Sequence, residues 1–225
     1  MSRPKILVFA SGTKTGGGSG FRRLVEESTK LGGNLAADII GVVSNHLNGG
    51  VKRIADEVGV PFYFFDNARN ATGRQYQYFV STLGAEWVAL SGWLKLVKGL
   101  NPATTFNIHP GPLPKFGGPG MYGHHVHEAV MAAFGRGELT HSAVSMHFVD
   151  QEYDHGNLFF KLPVEIEPDD TPDSLGARVN KQEHVWQSFI TDLVVHRHIR
   201  LTRAGNLIVP AWYRQMPFCP LTAIK

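Results

Sequence analysis

Hydrophobic and polar positions along this chain follow two periods in turn. Short apolar runs of strand length (Lys5–Ala10, Ile39–Ser44, Pro61–Phe65, Trp87–Leu90 and Thr104–Ile108) alternate with stretches patterned as helices (Phe21–Leu31, Val51–Val58 and Arg74–Leu83). That alternation predicts a parallel sheet covered by helices on both faces, an α/β chain of Rossmann-like type. After a helix from His124 to about Phe134 the pattern changes. Ser142–Val149 alternates well (Ala143, Val144, Met146, Phe148), and Leu158–Val164 reads as its hairpin partner across an acidic turn, so an antiparallel extension is expected. Thr171-Pro172-Asp173 suits the cap, first turn and positive dipole end of a long helix running to about His196. Ile199–Thr202 and Leu207–Val209 flank Ala204-Gly205-Asn206 as a small final hairpin.

Length and composition add bounds. The 225 residues suffice for a large core, and 43% hydrophobic with 18% charged residues is ordinary for a globular chain. Net charge is +3 with both signs scattered, which gives no electrostatic case for a nucleic-acid or membrane partner. No apolar run approaches membrane-spanning length. The single cysteine, Cys219, cannot close an internal disulfide, in keeping with a cytoplasmic location, and the start of the chain lacks the look of a secretory signal.

Candidate chemistry sits at the carboxyl ends of the expected parallel strands, where such sheets bind ligands. The first strand is followed by Ser11-Gly12-Thr13-Lys14-Thr15-Gly16-Gly17-Gly18-Ser19-Gly20 and a helix. Strand, glycine-rich turn and helix N-terminus make an anion cradle. It is neither a P-loop, since Gly18 rather than lysine follows Gly17, nor a dinucleotide fingerprint, since Arg23 stands where glycine or alanine is needed. Asn45, where an acidic residue would be expected, also argues against a nicotinamide dinucleotide. At the end of the Thr104–Ile108 strand, Asn107 and His109 flank one apolar residue and so leave on the same face. An amide donor beside an imidazole, with Pro110, Pro112 and Pro114 stiffening the exit, is a plausible acyl-transfer corner. The acidic turn Asp150-Gln151-Glu152-Tyr153-Asp154-His155-Gly156 offers a carboxylate, Asp154, that could orient the imidazole and raise its pKa. His124 and His127 are one turn apart, but no carboxylate or cysteine joins them at a familiar metal spacing, and no metal is expected.

Taken together, Asn107-Ile108-His109-Pro110, Leu113-Pro114, His147-Phe148-Val149 leading to Asp154, Ser11-Gly12, Ser91-Gly92 and Gln182-Glu183-His184 resemble the folate-dependent formyltransferases over roughly residues 5 to 200. Within that family the branch acting on glycinamide ribonucleotide in purine synthesis is the nearest match. The resemblance implies one catalytic domain, with a phosphate-binding half to about residue 105, a folate and catalytic half to about 200, and residues 201–225 as its tail. It implies direct formyl transfer from 10-formyltetrahydrofolate to the amine of glycinamide ribonucleotide through a tetrahedral intermediate. His109 would move the proton, Asn107 would donate to the oxyanion, and Asp154 would raise the His109 pKa. By the same matching, Gly12, Thr13, Gly18, Ser19 and Gly20 would hold the substrate phosphate and Glu183 its ribose. Arg74 would meet the folate glutamate tail. Leu94, Lys95, Leu96 and Val97 would line the pterin pocket with Asn107, and Asp150, Gln151, Glu152, Tyr153 and Asp154 would form the other wall.

The chain departs from the family in a longer first loop, a longer Phe116–Gly123 stretch, lysine at 95 where arginine is common, and His155 after the aspartate. The resemblance leaves a homodimer possible. It also leaves open a nucleotide-sugar N-formyltransferase, which shares the Asn-x-His-Pro corner. A methionyl-tRNA formyltransferase would want a further C-terminal domain, and a formyltetrahydrofolate hydrolase a further N-terminal one.

Overall fold

The computed structural model describes residues 2–222. In chain order the elements are β1 (Lys5–Phe9), α1 (Ser19–Thr29), β2 (Asp38–Ser44), α2 (Gly50–Val58), β3 (Phe62–Phe64), α3 (Gly73–Leu83), β4 (Trp87–Ser91), β5 (Thr105–His109), α4 (His124–Gly135), β6 (His141–Phe148), β7 (Leu158–Glu165), α5 (Pro172–Val195), β8 (Arg200–Leu201) and β9 (Leu207–Ile208). Every element expected from the pattern is present. The final hairpin is shorter than its apolar pattern suggested, since β8 and β9 pair over two residues each.

Seven strands form one sheet in the order β3-β2-β1-β4-β5-β6-β7. β3, β2, β1, β4 and β5 are parallel to their neighbours, and β5-β6-β7 run antiparallel. β1 is buried on both faces, as a central parallel strand must be. Ile6 and Val8 face one core with Phe21 and Leu24 of α1, Val51 of α2, Val126 and Val130 of α4 and Ile190 of α5. Leu7 and Phe9 face a second core with Phe65, Tyr76 of α3 and Trp93. Helices therefore cover both faces, but unequally.

Connections from β1 run to β2 on one side, while β4 returns to its other side. The order thus reverses between β1 and β4, opening a crevice at their carboxyl ends. Ser11 closes its base: its N–H donates to Gly92 O (2.9 Å) and its hydroxyl accepts from Leu94 N–H (3.0 Å). α5 crosses beside this crevice. It starts at a reciprocal cap in which Thr171 Oγ1 accepts from Ser174 N–H (3.1 Å) and Ser174 Oγ accepts from Thr171 N–H (2.9 Å). No helix among the described residues is long and apolar enough to cross a membrane.

Candidate active site

β5 alternates as its sequence requires. Phe106 and Ile108 enter the first core, so Asn107 and His109 emerge together on the opposite face. Antiparallel pairing with β6 sets His147 directly opposite Asn107. In the turn between β6 and β7, Asp154 adopts a left-handed backbone (φ 54°) that swings its carboxylate back over β5 and β6.

One oxygen, Asp154 Oδ1, is the meeting point. Asn107 Nδ2 donates to it at 3.2 Å, His147 Nε2 lies at 3.4 Å and His109 Nδ1 at 3.6 Å. The other oxygen accepts from Gly118 N–H at 3.0 Å. His109 Nε2 donates to Phe116 O at 2.7 Å, so in the neutral ring the lone pair is on Nδ1, turned toward Asp154. The Phe116–Gly118 segment thus grips both groups. Gly117 makes the approach possible: a Cβ there would sit 2.4 Å from Leu113 Cδ2 and 2.8 Å from Asp154 Cβ.

Electrostatics separate the two groups. Burial pushes His109 down, and although Asp154 and the Phe116 carbonyl push it up, the net pKa lies below the ordinary histidine value. Asp154 thus pushes the His109 pKa up, in the expected direction, but burial pushes it down by more. The ring is 3% exposed, and desolvation outweighs its partners. For Asp154, burial raises the pKa, but the adjacent His147 and His109 imidazoles and the Gly118 N–H outweigh it, and the carboxyl ends below its usual value. A neutral base thus sits beside a firmly ionised carboxylate near neutral pH. His147, quoted in the motif but given no role, is fixed by its Nδ1 donating to Phe148 O at 2.8 Å. Alternation along β6, which puts Ala143, Ser145 and His147 on one face, carried the signal.

A cleft of about 200 Å³ opens in front of this group. Gly18, Ser19 and Gly20 form its wall from the first loop, Leu94 its wall after β4, and Glu183 its wall from α5. A smaller cavity of about 40 Å³ adjoins it, bounded by Lys95, Leu96, Val97, Glu152 and Tyr153, and the two share Trp93, Asn107, Tyr153 and Asp154.

Several expected residues stand off these walls. Gly12 and Thr13 shape the loop instead: Thr13 N–H donates to Gly16 O (2.8 Å), and Thr13 O accepts from Gly50 N–H (3.0 Å). Asp150 and Gln151 also lie off the walls. Asp150 ties the acidic turn, accepting from Glu152 N–H (2.9 Å) and pairing with His155 Nδ1 (2.8 Å), whose pKa it raises. Arg74 is exposed at the start of α3, outside both cavities, although Tyr76 two residues on donates to Leu96 O (3.1 Å). His124 and His127 part company. His127 turns inward at 7% exposure, while His124 meets Asp173 (3.2 Å) and Glu128 (3.5 Å) at the surface. The carboxylate from α5 is a neighbour that local spacing could not reveal. Among the described residues no group of three or more ligating side chains is arranged to hold a metal ion.

Residues 4–191 match the formyl transferase family. The chain belongs to this family. A chloroplastic phosphoribosylglycinamide formyltransferase of Arabidopsis thaliana is 35% identical over 212 residues, covering 90% of this chain and 69% of that protein. One from Vigna unguiculata is 37% identical over 190 residues, covering 81% and 58%. The chain thus spans between 58% and 69% of the length of these two relatives. The fold is that of glycinamide ribonucleotide transformylase 1 from Symbiobacterium toebii, with a TM-score of 0.77 at 22% identity over 92% of this chain and 94% of that one. The cleft lies between the glycine loop and the acidic turn, with the Asn-x-His corner at its floor.

Proposed function

We propose that this chain transfers the formyl group of 10-formyltetrahydrofolate to the amine of glycinamide ribonucleotide. The observation that carries the reading is the convergence of Asn107, His109 and His147 on Asp154 where the two cavities join. One cavity lies toward the glycine loop and suits a phosphate-bearing acceptor. The other, rimmed by Lys95–Val97 and Glu152–Tyr153, suits the pterin of the donor, and the exposed Arg74 would meet the glutamate tail beyond it.

In this reading the acceptor amine attacks the formyl carbon, forming a C–N bond and placing negative charge on the formyl oxygen. Asn107's amide N–H stabilises that oxyanion, turning from Asp154 as it does so. His109 Nδ1 takes the proton released by the new ammonium, and the imidazolium gains Asp154 as a charged acceptor. The C–N10 bond then breaks, and N10 receives the proton from His109. No covalent enzyme intermediate is needed. The test is turnover with 10-formyltetrahydrofolate and glycinamide ribonucleotide beside a panel of amino-sugar nucleotides. Release of tetrahydrofolate with the ribonucleotide is expected, and turnover with the amino sugars alone would overturn the acceptor assignment.

Glu183 would hold the ribose hydroxyls. Burial pushes its carboxyl up to about 7 against the opposing hydrogen bond from Asn180 Nδ2 (3.1 Å). A carboxyl raised in the folded state is comfortable when protonated, so its burial costs nothing below the unfolded pKa. It costs progressively more as pH rises toward about 7. Glu183→Gln is therefore expected to raise the melting temperature at pH 8 and leave it unchanged at pH 4, while increasing KM for the ribonucleotide at pH 8 by roughly tenfold, the worth of one charge-assisted hydrogen bond. Thermal melts at the two pH values and steady-state kinetics check both halves.

A further inference from the structure

Ser91 ends β4 on the cleft wall, and Gln187 lies on α5 one turn beyond Glu183. Gln187 Nε2 donates to Ser91 Oγ at 2.9 Å. Both residues are buried, at 5% and 2% exposure. The other end of the amide, Gln187 Oε1, has no hydrogen-bond partner, and the Ser91 hydroxyl hydrogen has no acceptor among the described residues. A buried amide with one end unpaired is a net cost to folding, and an apolar side chain of the same shape would fill the space without it. Packing alone does not explain glutamine here.

The pair abuts the first turn of α1. A Cβ on Gly20 would lie 2.4 Å from Ser91 Oγ and 3.0 Å from Gln187 Oε1. The serine and glutamine thus occupy the space that a side chain at position 20 would take, and they bring polar atoms from β4 and α5 to the helix end. That end has Gly18 at its cap, no side-chain cap bond and no acidic residue in its first turn. Its first N–H groups lack intrahelical acceptors. Backbone donors and one hydroxyl donor therefore converge at the same end of the cleft.

We propose that Ser91 is a further substrate-binding residue, donating its hydroxyl to the phosphate of the formyl acceptor seated on the α1 N-terminus, and that Gln187 is the positioning residue that aims it. The inference rests on the functional reading above in taking the acceptor to be a sugar phosphate. It assigns that phosphate a side-chain donor from outside the glycine loop.

The test uses ribose 5-phosphate and inorganic phosphate as probes, titrated calorimetrically into the full chain. Ser91→Ala is expected to weaken ribose 5-phosphate by roughly tenfold, the loss of one hydrogen bond to a charged group. Gln187→Glu keeps the packing but offers an acceptor that captures the Ser91 hydroxyl, so it should weaken binding at least as much. Gln187→Met leaves the hydroxyl free but unaimed and should weaken binding by about threefold, less than either. KM for the acceptor should follow these ratios. KM for 10-formyltetrahydrofolate and kcat should stay near wild type, and the melting temperature should hold in Ser91→Ala and rise in Gln187→Met, which removes the unpaired amide. Undiminished binding in Ser91→Ala and Gln187→Glu overturns the proposal, as does a common loss of both KM values, kcat and thermal stability. Wild-type chain that ignores both probes overturns it too. Wild-type chain that binds ribose 5-phosphate through Ser91 but formylates only an amino-sugar nucleotide upholds it and removes glycinamide ribonucleotide as the acceptor.

Discussion

Replacing His109 with alanine is expected to lower kcat about a thousandfold, within the range that positioned acid–base groups supply. The ring is buried against the Phe116 carbonyl and faces Asp154 at the floor of the cleft, and alanine leaves no group there to carry the proton. Its pKa is held below the ordinary histidine value by burial. In the wild-type chain kcat/KM should therefore fall only on the acid side of 6.5, as the base form is lost, and this limb should vanish in the variant. The same shift has a sign for stability. A histidine depressed in the fold gives its full contribution above its unfolded pKa, and the contribution is lost as pH drops from there toward the folded value. Pre-steady-state formyl transfer across pH 5 to 9 measures the chemical step directly. A kcat within a few-fold of wild type would remove His109 from the proton path.

Asp154→Asn should cost about a hundredfold in kcat while leaving the backbone in place, because asparagine tolerates the left-handed conformation that Asp154 adopts. The defect is electrostatic and geometric. Both carboxylate oxygens receive N–H donors, from Asn107 on one side and Gly118 on the other. An amide offers one acceptor oxygen and must present its own donors to the other partner. It also removes the charge that favours protonated His109, so the acid limb should move to still lower pH. The stability contribution of this carboxylate, whose folded pKa is depressed, is present above the unfolded value near 3.9 and disappears as pH falls through the folded one. An unchanged acid limb in Asp154→Asn would show that the carboxylate does not act on His109.

Within the site, the legible residues were those whose neighbours lie along one strand or one turn. Asn107 and His109 share a face through the two-residue period of β5. Gly18–Gly20 lie where a helix follows a strand, and Leu94–Val97 follow the next strand at the same sheet edge. Harder to see were contacts between elements distant in sequence. His147 faces Asn107 through the β5–β6 register, Asp173 reaches His124 from another helix, and Gln187 meets Ser91 across 96 positions. Gly12 and Thr13, expected from the glycine-loop signal, lie off the cleft walls, where Thr13 bonds to Gly16 and Gly50.

The sequence by itself determined the alternation of strands and helices, the change to antiparallel pairing after α4, and the placement of the chemistry at the carboxyl edge. Each follows from local periodicity, turn residues or handed connections, which act over a few residues. Tertiary structure alone decided which side chains face one another and what their ionisation costs. Burial of His109 beneath Phe116 reversed the net direction of its pKa, and the left-handed turn at Asp154 brought one oxygen among three side chains. Desolvation and Coulomb interactions depend on distances through space, and those distances exist only once the sheet and α5 have closed around the cleft.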